Sequence, residues 1–140
     1  MIAFASMRTD IPAFYSQWLL KRMEEGEVMV RSPYGKNLVY SLDFNPKTID
    51  CLGICTKDPG KLIPHLSTFR NWNTLWHVTI TPYSREYEPG IQDKRSIVEA
   101  FRNLSLRVGK ERVVWRYDPV FLSPSFPLSS HKAWFATLSS

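Results

Sequence analysis

Cysteine is the scarcest chemically useful residue here: two thiols, Cys51 and Cys55, in 140 residues. Two are too few for the disulfide framework of a small secreted protein, so reduced thiols and a cytoplasmic location are expected. Long apolar runs are missing as well. No stretch approaches the roughly 20 residues that span a bilayer, and Met1 to Arg8 lacks the basic-then-apolar layout of a signal peptide, so no membrane partner is expected. Lys and Arg never form a run, which leaves a nucleic-acid arm or a polybasic anchor with little support. Gly-rich phosphate loops, nucleophile elbows and paired CxxC motifs are absent, so the chain carries no self-sufficient catalytic or cofactor motif. His65, His77 and His131 show no metal-ligand spacing. Strand alternation would put both sulfurs on one face but about 13 Å apart, too far to share an ion. No metal site is expected; both cysteines read as core thiols and His77 as a hydrogen-bonded core histidine.

What is present points to a packed domain. An apolar content of 44% suffices for one domain with a real core. Eighteen basic residues against thirteen acidic ones leave a formal charge of +5, which favours an anionic small molecule such as a phosphate ester or nucleotide, and more weakly nucleic acid. Nothing in these patterns fixes an oligomeric state.

Along the chain, Ile2 to Ala5 reads as a short strand. Apolar residues then recur at helical spacing (Ile11, Phe14, Trp18, Leu19, Met23), with Asp10 placed as cap, Pro12 in the first turn and Gly26 as the stop. Two β-prone runs, Glu27 to Arg31 and Leu38 to Leu42, flank the turn Ser32-Pro33-Tyr34-Gly35-Lys36-Asn37 and predict a small hairpin excursion. Thr48 to Cys55 is an apolar run too short for a helix, as expected of a strand buried on both faces. A short helix over Lys61 to Phe69, a strand over Leu75 to Thr81, an amphipathic helix over Asp93 to Val108, a strand over Arg112 to Arg116 and a helical pattern over His131 to Leu138 follow. Phe14, Trp18, Phe69 and Phe101 are expected inward, whereas Trp72, Trp76 and Tyr83 are less constrained and could stack on a nucleotide base.

The predicted fold class is therefore α/β: alternating strand-helix units, partial (β/α) barrel-like, with a small β-hairpin excursion. Right-handed crossovers join such units into an open doubly wound sheet or a barrel. Closing a barrel takes eight strands, so the chain reads either as an open four-stranded sheet or as the amino-terminal part of a longer barrel-like protein. Ligands bind at the carboxyl ends of the strands in both. There the sequence is polar: Arg8, Thr9 and Asp10 follow the first strand, Thr56, Lys57 and Asp58 the second, Thr81 and Tyr83 the third, and Arg116, Tyr117 and Asp118 the fourth. Arg8 and Arg116 could each grip a carboxylate or phosphate through two parallel hydrogen bonds, with Lys57 as a compact third charge. Asp10, Asp58 and Asp118 could accept protons or hold the basic groups in place. Arg8, Asp10, Lys57, Arg116 and Asp118 are thus the candidate catalytic residues, and Thr9, Thr56, Thr81, Tyr83 and Tyr117 the candidate substrate contacts. Structural roles compete: Asp10 as a helix cap, Asp58-Pro59 as a turn opening, Arg116 with Asp118 as a salt bridge.

Four strings taken together, Arg8-Thr9-Asp10-Ile11-Pro12-Ala13-Phe14-Tyr15, Cys55-Thr56-Lys57-Asp58-Pro59, Val78-Thr79-Ile80-Thr81-Pro82-Tyr83 and Trp115-Arg116-Tyr117-Asp118-Pro119, resemble the bacterial domain of unknown function 1848 family. The likeness runs in order to about Phe121; Ser123 to Ser140 is only loosely similar, and the family commonly has Asn where Asp58 stands. The resemblance implies a longer protein, roughly twice this length, with a barrel-like fold. It also implies a cysteine cluster near the far end, whose members look like iron–sulfur ligands and invite comparison with radical S-adenosylmethionine enzymes and spore photoproduct lyase-like proteins. No such cluster lies in these residues, so a cofactor is expected only in a longer form. The leading expectation is the amino-terminal part of a barrel-like, iron–sulfur-dependent enzyme with an anion-accepting site at the strand ends. The alternatives are a non-enzymatic nucleotide or nucleic-acid binding module, or an inactive truncated remnant.

Overall fold

The computed structural model describes residues 1–35, 37–91 and 93–139. In chain order it comprises β1 (Ile2–Ala5), α1 (Ile11–Phe14), α2 (Ser16–Glu25), β2 (Glu27–Arg31), β3 (Val39–Asp43), β4 (Cys51–Thr56), a 3-10 helix (Ile63–Phe69), β5 (Thr74–Thr79), α3 (Lys94–Val108), a second 3-10 helix (Lys110–Arg112), β6 (Val113–Arg116) and α4 (Leu128–Ser139). β2 and β3 pair antiparallel as the expected hairpin. Lys36, part of its expected turn, lies outside the described residues. None of the described helices is long and apolar enough to cross a membrane.

The other four strands form one sheet, ordered β1-β4-β5-β6, with every pair parallel. Each strand thus lies beside the one that its crossover leads to. A doubly wound sheet reverses its order at a switch point; this one does not. Right-handed crossovers in such a sequence carry their connections over the same face. That face holds the core: Leu52, Ile54, Trp76 and Val78 pack with Leu19, Leu66, Phe69, Ile97 and Leu104. Side chains alternate along each strand, so the intervening residues point the other way. Ile2 and Phe4 on β1, Cys51 and Cys55 on β4, Leu75 and His77 on β5 and Val114 on β6 are all at least partly exposed, and this second face is open.

The local signals explain the helices and one failure. Asp93 Oδ2 accepts from the Arg95 and Ser96 amides to start α3, and the expected inward residues Ile97, Val98, Phe101, Leu104 and Val108 all join the core. Gly26, at φ +72°, closes α2 in the left-handed region that glycine enters without penalty. The helix expected from Ile11 to Glu25 is broken at Tyr15 (φ −131°, ψ 31°). The break shifts the inward stripe to Pro12, Ala13, Ser16 and Leu19, leaving Phe14 and Trp18 exposed rather than inward. Lys61 to Phe69 forms its short helix as a 3-10 helix, and the final helix starts at Leu128, ahead of the expected His131. β4 is fully buried on its helix-covered face; on the other, Gly53 lies against the Phe4 ring and Cys51 and Cys55 are only partly buried.

Candidate functional site

The loops leaving β1 and β4 are tied together by Asp10. Its Oδ1 accepts from the Ala13 amide at 3.1 Å, which caps α1, and from Thr56 Oγ1 at 2.7 Å; its Oδ2 accepts from the Lys57 amide at 2.6 Å. Thr56 Oγ1 in turn accepts from the Asp58 amide at 2.9 Å, and Asp58 Oδ1 accepts from the Gly60 amide at 2.8 Å. Asp10 and Asp58 therefore hold backbone: the first braces two strand ends, the second closes a turn. Their joint effect is to place Lys57 where β4 ends.

Lys57 reaches Glu88, a residue outside the strand-end candidates. Glu88, in the loop between β5 and α3, is hydrogen-bonded and ion-paired to Lys57 Nζ, takes a second ion pair from Lys94 Nζ at 2.5 Å, and accepts from Thr81 Oγ1 at 2.9 and 3.0 Å. The Glu88 side chain is only 10% exposed. Burial pushes its carboxyl up, but the hydrogen bonds from Lys57, Lys94 and Thr81 and the Lys57 charge outweigh that and hold it below its ordinary value. At neutral pH the cluster is a carboxylate between two ammonium groups, with one positive charge over. Glu88 and Lys94 carry no motif. They lie 31 and 37 residues beyond Lys57, and the usable hint was a carboxylate before Pro89-Gly90, in a loop that begins where a parallel strand ends.

The remaining candidates are dispersed. Arg8 is exposed and donates from Nη2 to the Arg31 carbonyl at 2.9 Å, away from the Glu88 cluster. Arg116 pairs with Asp118 at 2.5 Å, both side chains half-exposed. Thr9 is exposed beside Arg8. Tyr83 is buried; its hydroxyl donates to the Pro119 carbonyl at 2.8 Å and accepts from the Phe121 amide at 3.1 Å, while its ring stacks on Phe121 at 4.3 Å. Tyr117 meets His131. Nε2 of His131 lies 3.0 Å from the Phe121 carbonyl, which can only accept, so Nε2 holds the proton and Nδ1 accepts from the Tyr117 hydroxyl at 2.9 Å. Burial, with the neighbouring Tyr83 phenol adding to it, pushes the Tyr117 hydroxyl above its ordinary value. These contacts dock α4 onto the end of β6, and Phe135 stacks on Trp115 at 4.8 Å to complete the seam.

Several expectations change. Trp72, Trp76 and Tyr83 are buried, so none presents a face for a base to stack on; their bulk fills the core. Cys51 and Cys55 are free thiols on the open sheet face rather than in the core. His77 lies on that same face, with Phe4 edge-on to its ring at 6.5 Å, and its buried Nε2 has no hydrogen-bond partner. The register makes Cys55 and His77 neighbours, but among the described residues no three His, Cys, Asp or Glu side chains gather closely enough to hold a metal.

Comparison with known proteins yields one match: the family model for a domain of unknown function (DUF1848) covers residues 2–140. No curated protein and no solved structure matches.

Proposed function

The chain belongs to the DUF1848 family, and on that premise we propose that it supplies the amino-terminal, four-stranded part of a barrel-like enzyme that accepts an anion at the strand carboxyl ends. The observation that carries this reading is the convergence of Lys57, Lys94 and Thr81 on the single carboxylate Glu88. Two cations share one anion, so a positive charge stays available at the end of a parallel sheet. An ammonium has three donors, and Glu88 uses one of those on Lys57. Arg116 follows two strands away: Thr79 pairs with Arg116, and Lys57 continues β4 one residue past the pair Thr56 and Val78. Two strand spacings are about 10 Å, which both long side chains can bridge onto one phosphate or carboxylate. Lys57 and Arg116 are the proposed ligands, Asp10 is the positioning residue that sets the Lys57 backbone, and Glu88 restrains the Lys57 side chain.

The unreversed strand order and the open second face support a barrel-like setting. The family resemblance also implies an iron–sulfur cluster. Such a cluster needs several closely placed thiolates, and the two cysteines of this chain, about 13 Å apart by strand rise, do not fit it. A cluster would take its ligands from outside these residues, and the anion site uses none of it. The reading places the enzyme in the cytoplasm, where Cys51 and Cys55 stay reduced.

Calorimetric titration with inorganic phosphate at constant ionic strength tests the site. Replacing Lys57 by Met or Arg116 by Ala is expected to weaken binding about tenfold each, the worth of one charge-assisted hydrogen bond. Undiminished affinity in both variants would remove the site. A steep loss of affinity for mixed DNA as salt rises, without phosphate binding, would instead point to a nucleic-acid module.

A further inference from the structure

The amino ends of the strands hold a second concentration of charge, remote from Lys57. A cleft of about 420 Å³ lies between the 3-10 helix Ile63–Phe69, the first residue of β5, the last turn of α3 and the turn into β6. Arg70, Arg107 and Arg112 all line it, and among the described residues no carboxylate does. None of the three makes an ion pair with a described residue. Glu111, next to Arg112 in sequence, folds its carboxylate back over Gly109 instead. The register fixes part of the arrangement: Val113 pairs with Trp76, which sets Arg112 about 5 Å, one strand spacing, from the start of β5. The walls share one core through Leu66, Phe69, Trp76 and Leu104, so the cleft is shaped without either chain terminus.

Three guanidinium groups in one cleft repel one another, and the chain does little to offset them. The carbonyl end of α3, in whose last turn Arg107 stands, is worth about half a negative charge. Most of the positive charge therefore remains. Arg107 gives Nη1 to the Ile63 carbonyl at 2.9 Å, which orients its planar fork and leaves its other N–H groups to donate. Arg70 and Arg112 are exposed beside it, with their side-chain donors unspent among the described residues. Thr74 is 7% exposed, and its Oγ1 accepts from Trp76 Nε1 at 3.0 Å, so its own hydrogen is left to donate. Pro64, Leu66 and Val108 add an apolar wall. The volume falls within the range of small-molecule sites, about 300–1,000 Å³, with room for carbon beside an anionic group.

We propose that this cleft binds a phosphomonoester. Arg107 and Arg112 grip the phosphate through paired N–H···O bonds, Arg70 and the Thr74 hydroxyl complete its shell, and the carbon part lies along Pro64, Leu66 and Val108. A phosphomonoester carries about −1.5 to −2 charges at neutral pH, close to what the three arginines leave unbalanced. Guanidinium forks match phosphate oxygens two at a time, a geometry that an ammonium cannot offer. The cleft lies at the opposite end of the sheet from Lys57 and Arg116, roughly 20 Å away along the six-residue β5. It is separate from the anion site at the strand carboxyl ends and does not rest on it, so either can fail alone.

Amide NMR spectra of the isotope-labelled chain, recorded at constant ionic strength, read the two ends of the sheet separately. Phenyl phosphate is expected to shift the amides of Thr74, Val108 and Arg112 together, with one dissociation constant, and to bind several-fold more tightly than inorganic phosphate, which lacks the carbon part. Arg112→Gln should weaken that binding about tenfold, and Arg70→Gln likewise. Both side chains are exposed, so the fold should persist in each variant. Arg95→Gln removes the same charge at the other end of α3, about 18 Å from Arg107 by helical rise, and should leave the constant unchanged. The proposal is overturned by the lack of a saturable shift at these three amides, or by a constant that neither folded Gln variant of the cleft moves. Equal sensitivity to Arg95→Gln would mark a diffuse charge effect and overturn it as well. Inorganic phosphate binding as tightly as phenyl phosphate would overturn the assignment of an ester. Shifts confined to Lys57 and Thr81 would keep the first site and sink this one.

Discussion

Replacing Glu88 by Gln removes the charge from the one carboxylate that holds Lys57 and Lys94 together. Gln keeps an oxygen for Thr81, but its amide nitrogen then faces a lysine, donor against donor. Breaking a fully buried ion pair by removing one partner costs about 3–5 kcal/mol. Here the lysine side chains are 33% and 29% exposed, and water reaching them lowers the expectation to about 2 kcal/mol. For a chain of this size that is a fall of roughly 6–8 °C in Tm, read by calorimetry at pH 7 and one protein concentration. The pH dependence is the sharper check. The Glu88 carboxyl titrates lower in the folded chain than its ordinary 4.5, so its contribution is full above about pH 4.5. It shrinks as the pH falls from there and is gone below the folded value. The gap between wild type and variant should therefore hold from neutral pH to about 4.5 and close in acid. A fall under about 2 °C at pH 7, or a gap that persists unchanged to pH 2.5, would refute the assignment of Glu88 as the anchor of this cluster.

Two further substitutions probe the frame around the site. Asp10→Ala removes the cap of α1 together with the bonds to Thr56 and the Lys57 amide; about 2 kcal/mol of stability should go with it, measured by urea unfolding, and a loss below 0.5 kcal/mol would show that the brace carries nothing. Gly53→Ala places a methyl against the Phe4 ring; a loss of about 1 kcal/mol is expected that Phe4→Leu relieves, and a double-mutant cycle with no coupling between the two positions would mean that they do not touch.

Most of the elements were legible because each is written locally. Asp10 and Asp93 announce helix starts, Gly26 a stop, Pro33 and Gly35 a hairpin turn, and the spacing of Ile97, Phe101, Leu104 and Val108 an amphipathic helix; these are properties of neighbouring residues and need no fold to be read. The break at Tyr15 was not legible, since the Phe14 and Trp18 stripe looks inward in any helix and only the docking of Ala13, Ser16 and Leu19 turns it out. The same limit governs the site. Strand-end polarity marks Lys57 and Thr81, but the residue that joins them, Glu88, lies 31 residues beyond Lys57 and is recognisable only once β5 lies beside β4.

By itself, then, the sequence determined the alternation of strands and helices and the polar character of the strand ends, because periodicity, caps and turns act over a few residues. Tertiary structure decided the unreversed strand order, which face the helices cover, and which charges meet. Those outcomes depend on how separate segments share one core, and Lys57 and Lys94 share one carboxylate only because the connections leaving β4 and β5 are brought to the same end of the sheet.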